Sequence, residues 1–163
     1  MQTPSAAKQL GEEHRRVWPL LDDLASIAES LSPGSADEGS VRRYAEAVQK
    51  IEDELDIHLL REEKILFPPL EAFLPRDSGP LAVMLAEHED LRSDKTKMKE
   101  LLAAGPQADT VAQIREIALR FVAVLKSHIQ KEDNILFPMA EMHLSASDKE
   151  RIARELLEFT LVG

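Results

Sequence analysis

The sequence predicts an all-α protein, an up-down-up-down four-helix bundle with a short C-terminal fifth helix. Three observations predict it. Four long segments place apolar residues at alternating steps of three and four, the period of a helix with one buried face. Short stretches rich in Gly, Pro, Ser and Asp separate them. No clean two-residue alternation bounded by hairpin turns occurs anywhere in the 163 residues.

The first helix is expected near 4–31, on the stripe Leu10, His14, Val17, Leu21, Leu24, Ala28, Leu31. Pro19 falls inside it and should kink it, freeing the carbonyl of Arg15. "SPGSADEG" (32–39) reads as a loop. The second helix, near 40–67, carries Val41, Tyr44, Val48, Ile51, Leu55, His58, Glu62 and Ile65, and should stop at Pro68. After "PRDSGP" (75–80) comes the third, near 80–103, with Leu81, Met84, His88, Leu91, Lys95, Met98 and Leu102; Lys95 fits poorly. "GPQAD" (105–109) leads to the fourth, near 110–137, with Val111, Ile114, Ala118, Phe121, Leu125, His128, Glu132 and Ile135, stopping at Pro138. Ser147 and Glu150 have capping-box spacing and should open the fifth helix, about 147–160.

The length suits one domain, 1–163, able to bury a sizeable core. "HLLREEKILFP" (58–68) and "HIQKEDNILFP" (128–138) are the same phrase written twice, so 10–70 and 84–140 read as an internal duplication. The net charge of −10 argues against nucleic acid, whose phosphates demand cations. No apolar run is long enough for a membrane span, and no secretory leader is visible. The absence of cysteine excludes disulfides and thiolate ligands, and fits a cytoplasmic location.

Besides the poorly fitting Lys95, six polar residues stand in the apolar stripes: His14, His58, Glu62, His88, His128 and Glu132. A buried carboxylate without a partner costs several kcal/mol even after relaxation. The topology brings all six to one pole. Seventeen positions separate His14 from Leu31, Val41 from His58, and Val111 from His128. At about 1.5 Å per residue these histidines lie at one level, roughly 25 Å from the far pole. A lone H-x-x-x-E pair is ordinarily a surface i,i+4 contact. Here it occurs twice, in phase with the core, with two more histidines at matching depth.

Four imidazoles and two carboxylates suit a borderline first-row metal. Two carboxylates can bridge two ions, as in dinuclear carboxylate bundles. Open coordination positions favour iron over structural zinc, which wants a closed four-coordinate site.

The order H…HxxxE…H…HxxxE, carried by His14, His58 and Glu62, His88, then His128 and Glu132, resembles the hemerythrin-like (HHE cation-binding) family over about residues 10–140. The resemblance implies two iron ions, oxo- or hydroxo-bridged, with both glutamates bridging. Oxygen-carrying members have a fifth histidine one turn from the helix 3 ligand; Met84 and Arg92 flank His88 here. Their last carboxylate is an aspartate one residue further along, where this chain has Glu132 at plus four. The pattern is closer to bacterial hemerythrin-like proteins and to the metal domain of iron–sulfur cluster repair proteins. Those repair proteins also carry a cysteine-containing N-terminal segment, for which this chain is read as having neither cysteine nor room.

Other residues are assigned ordinary roles. His143 lies past the stripe, at a surface or helix end; Tyr44 packs at the far pole; Trp18, one turn after His14, either walls the pocket or packs in the core. Glu54, one turn before His58, sits beside the seam, either clear of the site or touching it as an outer partner or extra ligand. Glu13 and Glu87 are expected on the solvated surface.

Two function classes follow. One is a di-iron protein that reacts with or senses oxygen, peroxide or nitric oxide, with peroxide or nitric oxide preferred over oxygen transport. The other is an iron reservoir, sensor or repair-type iron donor without turnover. A metal-free interaction bundle is the third reading.

Overall fold

Ser5 opens the first helix, its hydroxyl accepting the Lys8 N–H at 3.1 Å, a cap that satisfies one free amide of the first turn. The computed structural model describes residues 3–32, 37–105 and 108–159. Helix α1 (Ala6–Ser30) runs through Pro19 without ending. Asp37 caps α2 (Glu38–Arg61) by accepting the Ser40 N–H at 2.7 Å. After α2 come a π-helical turn, π1 (Glu62–Leu66), and the short α3 (Phe67–Leu70). Helix α4 (Gly79–Ala104) ends at Gly105, whose φ of 93° suits a residue without a Cβ. Then follow α5 (Ala108–Lys131), a second π turn, π2 (Glu132–Leu136), α6 (Phe137–His143) and α7 (Ala146–Glu158). No strand occurs among the described residues. Parts of the expected loops at 32–39 and 105–109 lie outside them.

The long helices form the expected bundle. Each of α1, α2, α4 and α5 packs on two neighbours, in the ring order α1, α2, α4, α5. All seven stripe residues of α1 are buried, as are those of α2 apart from Val41. Lys95, the poor fit of α4, reaches Asp56 at 2.6 Å, and the buried position beside it is Asp94, paired with Arg120.

Three expectations are corrected. Pro68 and Pro138 do not stop the helices. A proline cannot donate to the carbonyl four residues back. The chain absorbs this in the π turns: the Phe67 N–H bonds the Glu62 carbonyl and the Phe137 N–H bonds that of Glu132, five residues back. The extra residue per turn also shifts the register, so Leu136 and Phe137 face the core and Ile135 is 51% exposed. Its counterpart Ile65 stays covered, because α7 packs against π1. Finally, α7 is capped by Ser145, which accepts the Asp148 N–H, and not by Ser147.

The apolar core is in two parts. The larger is built around Leu21, Leu24, Tyr44, Ile51, Leu55, Phe121 and Leu125. The smaller plugs the other pole with Leu10, Phe67, Leu70, Leu81, Phe137 and, from α7, Ile152 and Leu156. Between them lies a layer of polar side chains.

Candidate metal centre

That layer consists of the six residues expected to converge. His14, His58, His88, His128, Glu62 and Glu132 are all buried, both glutamates completely. They form two overlapping groups, His14, His58, Glu62 and Glu132, and Glu62, His88, His128 and Glu132. Within each group the donor atoms lie within 4.8 Å of one another. Each π turn begins at a glutamate of the cluster, so the backbone irregularity sits where a carboxylate must be aimed inward.

The Nε2 atoms point at the shared carboxylates. His14 lies 3.1 Å from Glu132 Oε1 and His128 lies 3.2 Å from it. His88 lies 3.1 Å from Glu62 Oε1, and His58 lies 3.5 Å from Glu62 Oε2. His14 and His58 bring their Nε2 atoms within 3.1 Å of each other. Donors bound about 2.1 Å from one cation at right angles stand about 3 Å apart, so these spacings match edges of a coordination shell.

Both oxygens of Glu62, Oε2 of Glu132 and Nε2 of His88 and His128 are buried with no aligned hydrogen-bond partner. Such orphans are costly unless a cation satisfies them. In the protein alone, protons take that part. Burial opposes charge on His58, yet the Glu62 carboxylate and contacts with Glu13 and Glu132 hold its imidazole well above the usual value. His128 is likewise opposed by burial, but Glu132, Glu62 and Glu87 raise it to about 11. Burial raises Glu62 and the histidines, His58 foremost, more than reverse this, so it stays ionised. The two shared carboxylates are thus balanced by protons on the imidazoles in the protein alone, and a first-row metal ion, whose binding displaces those protons, would balance them through the same nitrogen and oxygen donors.

Phenylalanines flank the imidazoles. Phe137 stacks on His14 at 5.6 Å and Phe67 lies 5.5 Å from His88. Together with the plug they shield the donors from water.

The sequence reading missed an outer ring. Glu13 and Glu87 were expected on the solvated surface, but Glu13 is 3% exposed and meets His58 Nδ1 at 3.4 Å. Glu87 meets His128 Nδ1, also at 3.4 Å. Glu63 approaches His88 Nδ1 at 2.6 Å and Asp133 approaches His14 Nδ1 at 2.9 Å. Each histidine therefore has a carboxylate behind it, hydrogen-bonded to Nδ1 at His14, His88 and His128 and in charge contact without an aligned hydrogen bond at His58, and such partners favour the tautomer that leaves Nε2 free to coordinate. The repeated dipeptides Glu13-His14 and Glu87-His88, and the acids following Glu62 and Glu132, were the available signal.

The remaining candidates fall elsewhere. Glu54 pairs with Arg16 at 3.3 Å. Tyr44 donates to the Ile114 carbonyl at 3.4 Å, in the far core. Trp18 packs against the large core with Lys126 over its ring. His143 is exposed beside Phe73.

A helical bundle with a buried layer of four histidines and two shared glutamates defines a metal-binding bundle protein. Residues 5–155 match the family model described as the hemerythrin HHE cation binding domain, and the chain belongs to that family. It is 31% identical over 143 residues to the iron-sulfur cluster repair protein YtfE of Musicola paradisiaca, a match covering 84% of this chain and 63% of that protein. YtfE of Pectobacterium carotovorum is 31% identical over 134 residues, 79% of this chain and 60% of its own. YtfE of Yersinia pseudotuberculosis is 31% identical over 133 residues, 78% and 60%. The chain thus spans about three fifths of the length of these curated relatives. No helix among the described residues is long and apolar enough to cross a membrane.

Proposed function

We propose that this chain is a non-haem di-iron protein whose centre serves iron–sulfur cluster repair by holding and donating iron. His14 and His58 would hold one ion and His88 and His128 the other, with Glu62 and Glu132 shared between them. The observation that carries the proposal is the pair of donor groups with two carboxylates in common. The names of the relatives favour repair over peroxide or nitric oxide handling.

The donor set supports release as well as binding. All six ligands are nitrogen or oxygen donors, and the chain has no thiolate. Thiolate and sulfide are the softer donors that iron–sulfur sites offer. Iron passing from this layer to such a site moves toward its preferred ligands. The partner is then a protein with a damaged cluster. An iron pair, when bound, would supply electrons and open positions for a small oxygen or nitrogen species. The chain's own part is to orient the imidazoles through their outer carboxylates, hold the shared glutamates ionised and exclude water with Phe67 and Phe137.

The reading is tested by iron transfer. Iron-loaded protein is mixed anaerobically with an iron-depleted cluster protein and sulfide, beside a chelator too weak to strip the donor. Recovery of the acceptor's cluster absorption, matched by iron loss from this chain, is expected. Recovery no faster than with the chelated iron alone would contradict it. Reaction with peroxide remains the second reading, favoured by the count of donors: two nitrogens and two shared carboxylates leave each ion short of six ligands. Oxygen evolution from the iron-loaded protein on mixing with peroxide would support that one.

A further inference from the structure

The outer carboxylates obey a pseudo-two-fold relation with one exception. Positions in α1 and α4 correspond through His14 and His88, and positions after α2 and α5 through Glu62 and Glu132. Glu13 and Glu87 are then equivalent, and each is braced by a cation: Glu13 by Arg61 at 3.7 Å and Glu87 by Lys131 at 2.9 Å. Glu63 and Asp133 are equivalent too. Glu63 is braced by Arg92 at 2.7 Å. Asp133 has no lysine or arginine within ion-pair distance among the described residues. The reason is legible in the sequence. Arg92 stands four residues after His88, and four residues after His14 stands Trp18. The nearby Lys126 lies over the Trp18 ring and pairs with Asp22.

Exposure follows the same division. The Glu13, Glu87 and Glu63 side chains are 4%, 15% and 24% exposed, and that of Asp133 is 41% exposed. Pulling His58, His88 or His128 from a metal would disturb a carboxylate and a cation behind it. Moving His14 disturbs one solvated aspartate on a π turn. A surface carboxylate without a lysine or arginine beside it is also the feature that attracts a hydrated dication, and a hard oxygen donor suits its first contact.

We infer that the His14–Asp133 corner is where the centre exchanges ferrous iron with its surroundings. The inference rests on the di-iron reading and adds a direction to it: one of the four histidine corners is built to open. Three substitutions in the full chain test it, using anaerobic Fe(II) alone for loading and a coloured ferrous chelator for release. Asp133→Asn should slow loading about tenfold, the usual scale for a lost outer-shell partner. Trp18→Arg, which supplies the missing brace, should slow release by about as much. Arg92→Leu removes the brace from the equivalent corner and should speed release about tenfold. Trp18→Arg and Arg92→Leu should still bind the wild-type amount of iron at saturation, which separates a change of exchange route from a damaged site. The first and third change partly exposed groups, so the test stands if Trp18→Arg does not fold. Wild-type loading for Asp133→Asn together with wild-type release for Arg92→Leu would overturn the inference. A chain that binds no iron would instead overturn the reading beneath it.

Discussion

Glu62 and His88 come from different helices and meet at 3.1 Å, Oε1 to Nε2, in a layer where both side chains are fully buried. The other oxygen of Glu62 faces His58 at 3.5 Å, so one carboxylate spans both histidine pairs. Glu62→Gln keeps the shape and removes the charge that both proposed ions share. It should reduce bound iron below one ion per chain after gel filtration, with the helical circular-dichroism signal retained. Iron content equal to wild type would remove Glu62 from the ligand set.

Metal removal should destabilise the fold. A ligand present at a thousand times its dissociation constant adds about 4 kcal/mol to stability. For a chain of this size that corresponds to a melting temperature about 10 °C higher. Calorimetry of iron-loaded and chelated protein checks this, and identical melting curves would count against a metal that holds the layer together.

The outer carboxylates should tune affinity without supplying ligands. Glu13→Gln and Glu87→Gln each remove the charge behind one imidazole, of His58 and of His128 respectively. Iron affinity in competition titrations should fall about 10–100-fold, with an unchanged number of ions at saturation. Loss of a whole ion would make either glutamate a direct ligand.

The large core should be separable from the site. Phe121 is fully buried, about two turns along α5 from His128. Phe121→Ala should lower the free energy of urea unfolding by about 3–5 kcal/mol. Saturating iron content should stay the same, because the cavity opens in the cluster beyond the polar layer. A loss of iron from folded protein would show that the two are coupled.

Much of the bundle and the whole six-residue layer were legible, for one reason. Periodicity reports which residues face inward, and a histidine or glutamate facing inward twice in the same register needs a cause. The parts that escaped all involve departures from a regular period. Pro68 and Pro138 read as stops because a straight α-helix cannot hold them; the π turns at Glu62 and Glu132 can. Ile135 was assigned to the core by counting through that turn as though it were α-helical. Glu13 and Glu87 were placed outside because they sit one position off the stripe, yet a glutamate is long enough to reach the back of an imidazole on the next helix. The cap of α7 was misplaced by two residues because Ser145 and Ser147 offer alternative starts.

The most direct test of the account is the iron content of the anaerobically loaded chain, measured with its absorption spectrum after exposure to air. The account requires two irons per chain, with near-ultraviolet oxo-to-iron bands, and their common loss when Glu132, the other shared carboxylate, is changed to Gln. A single iron, or two that survive in Glu132→Gln, would contradict a centre built on shared carboxylates.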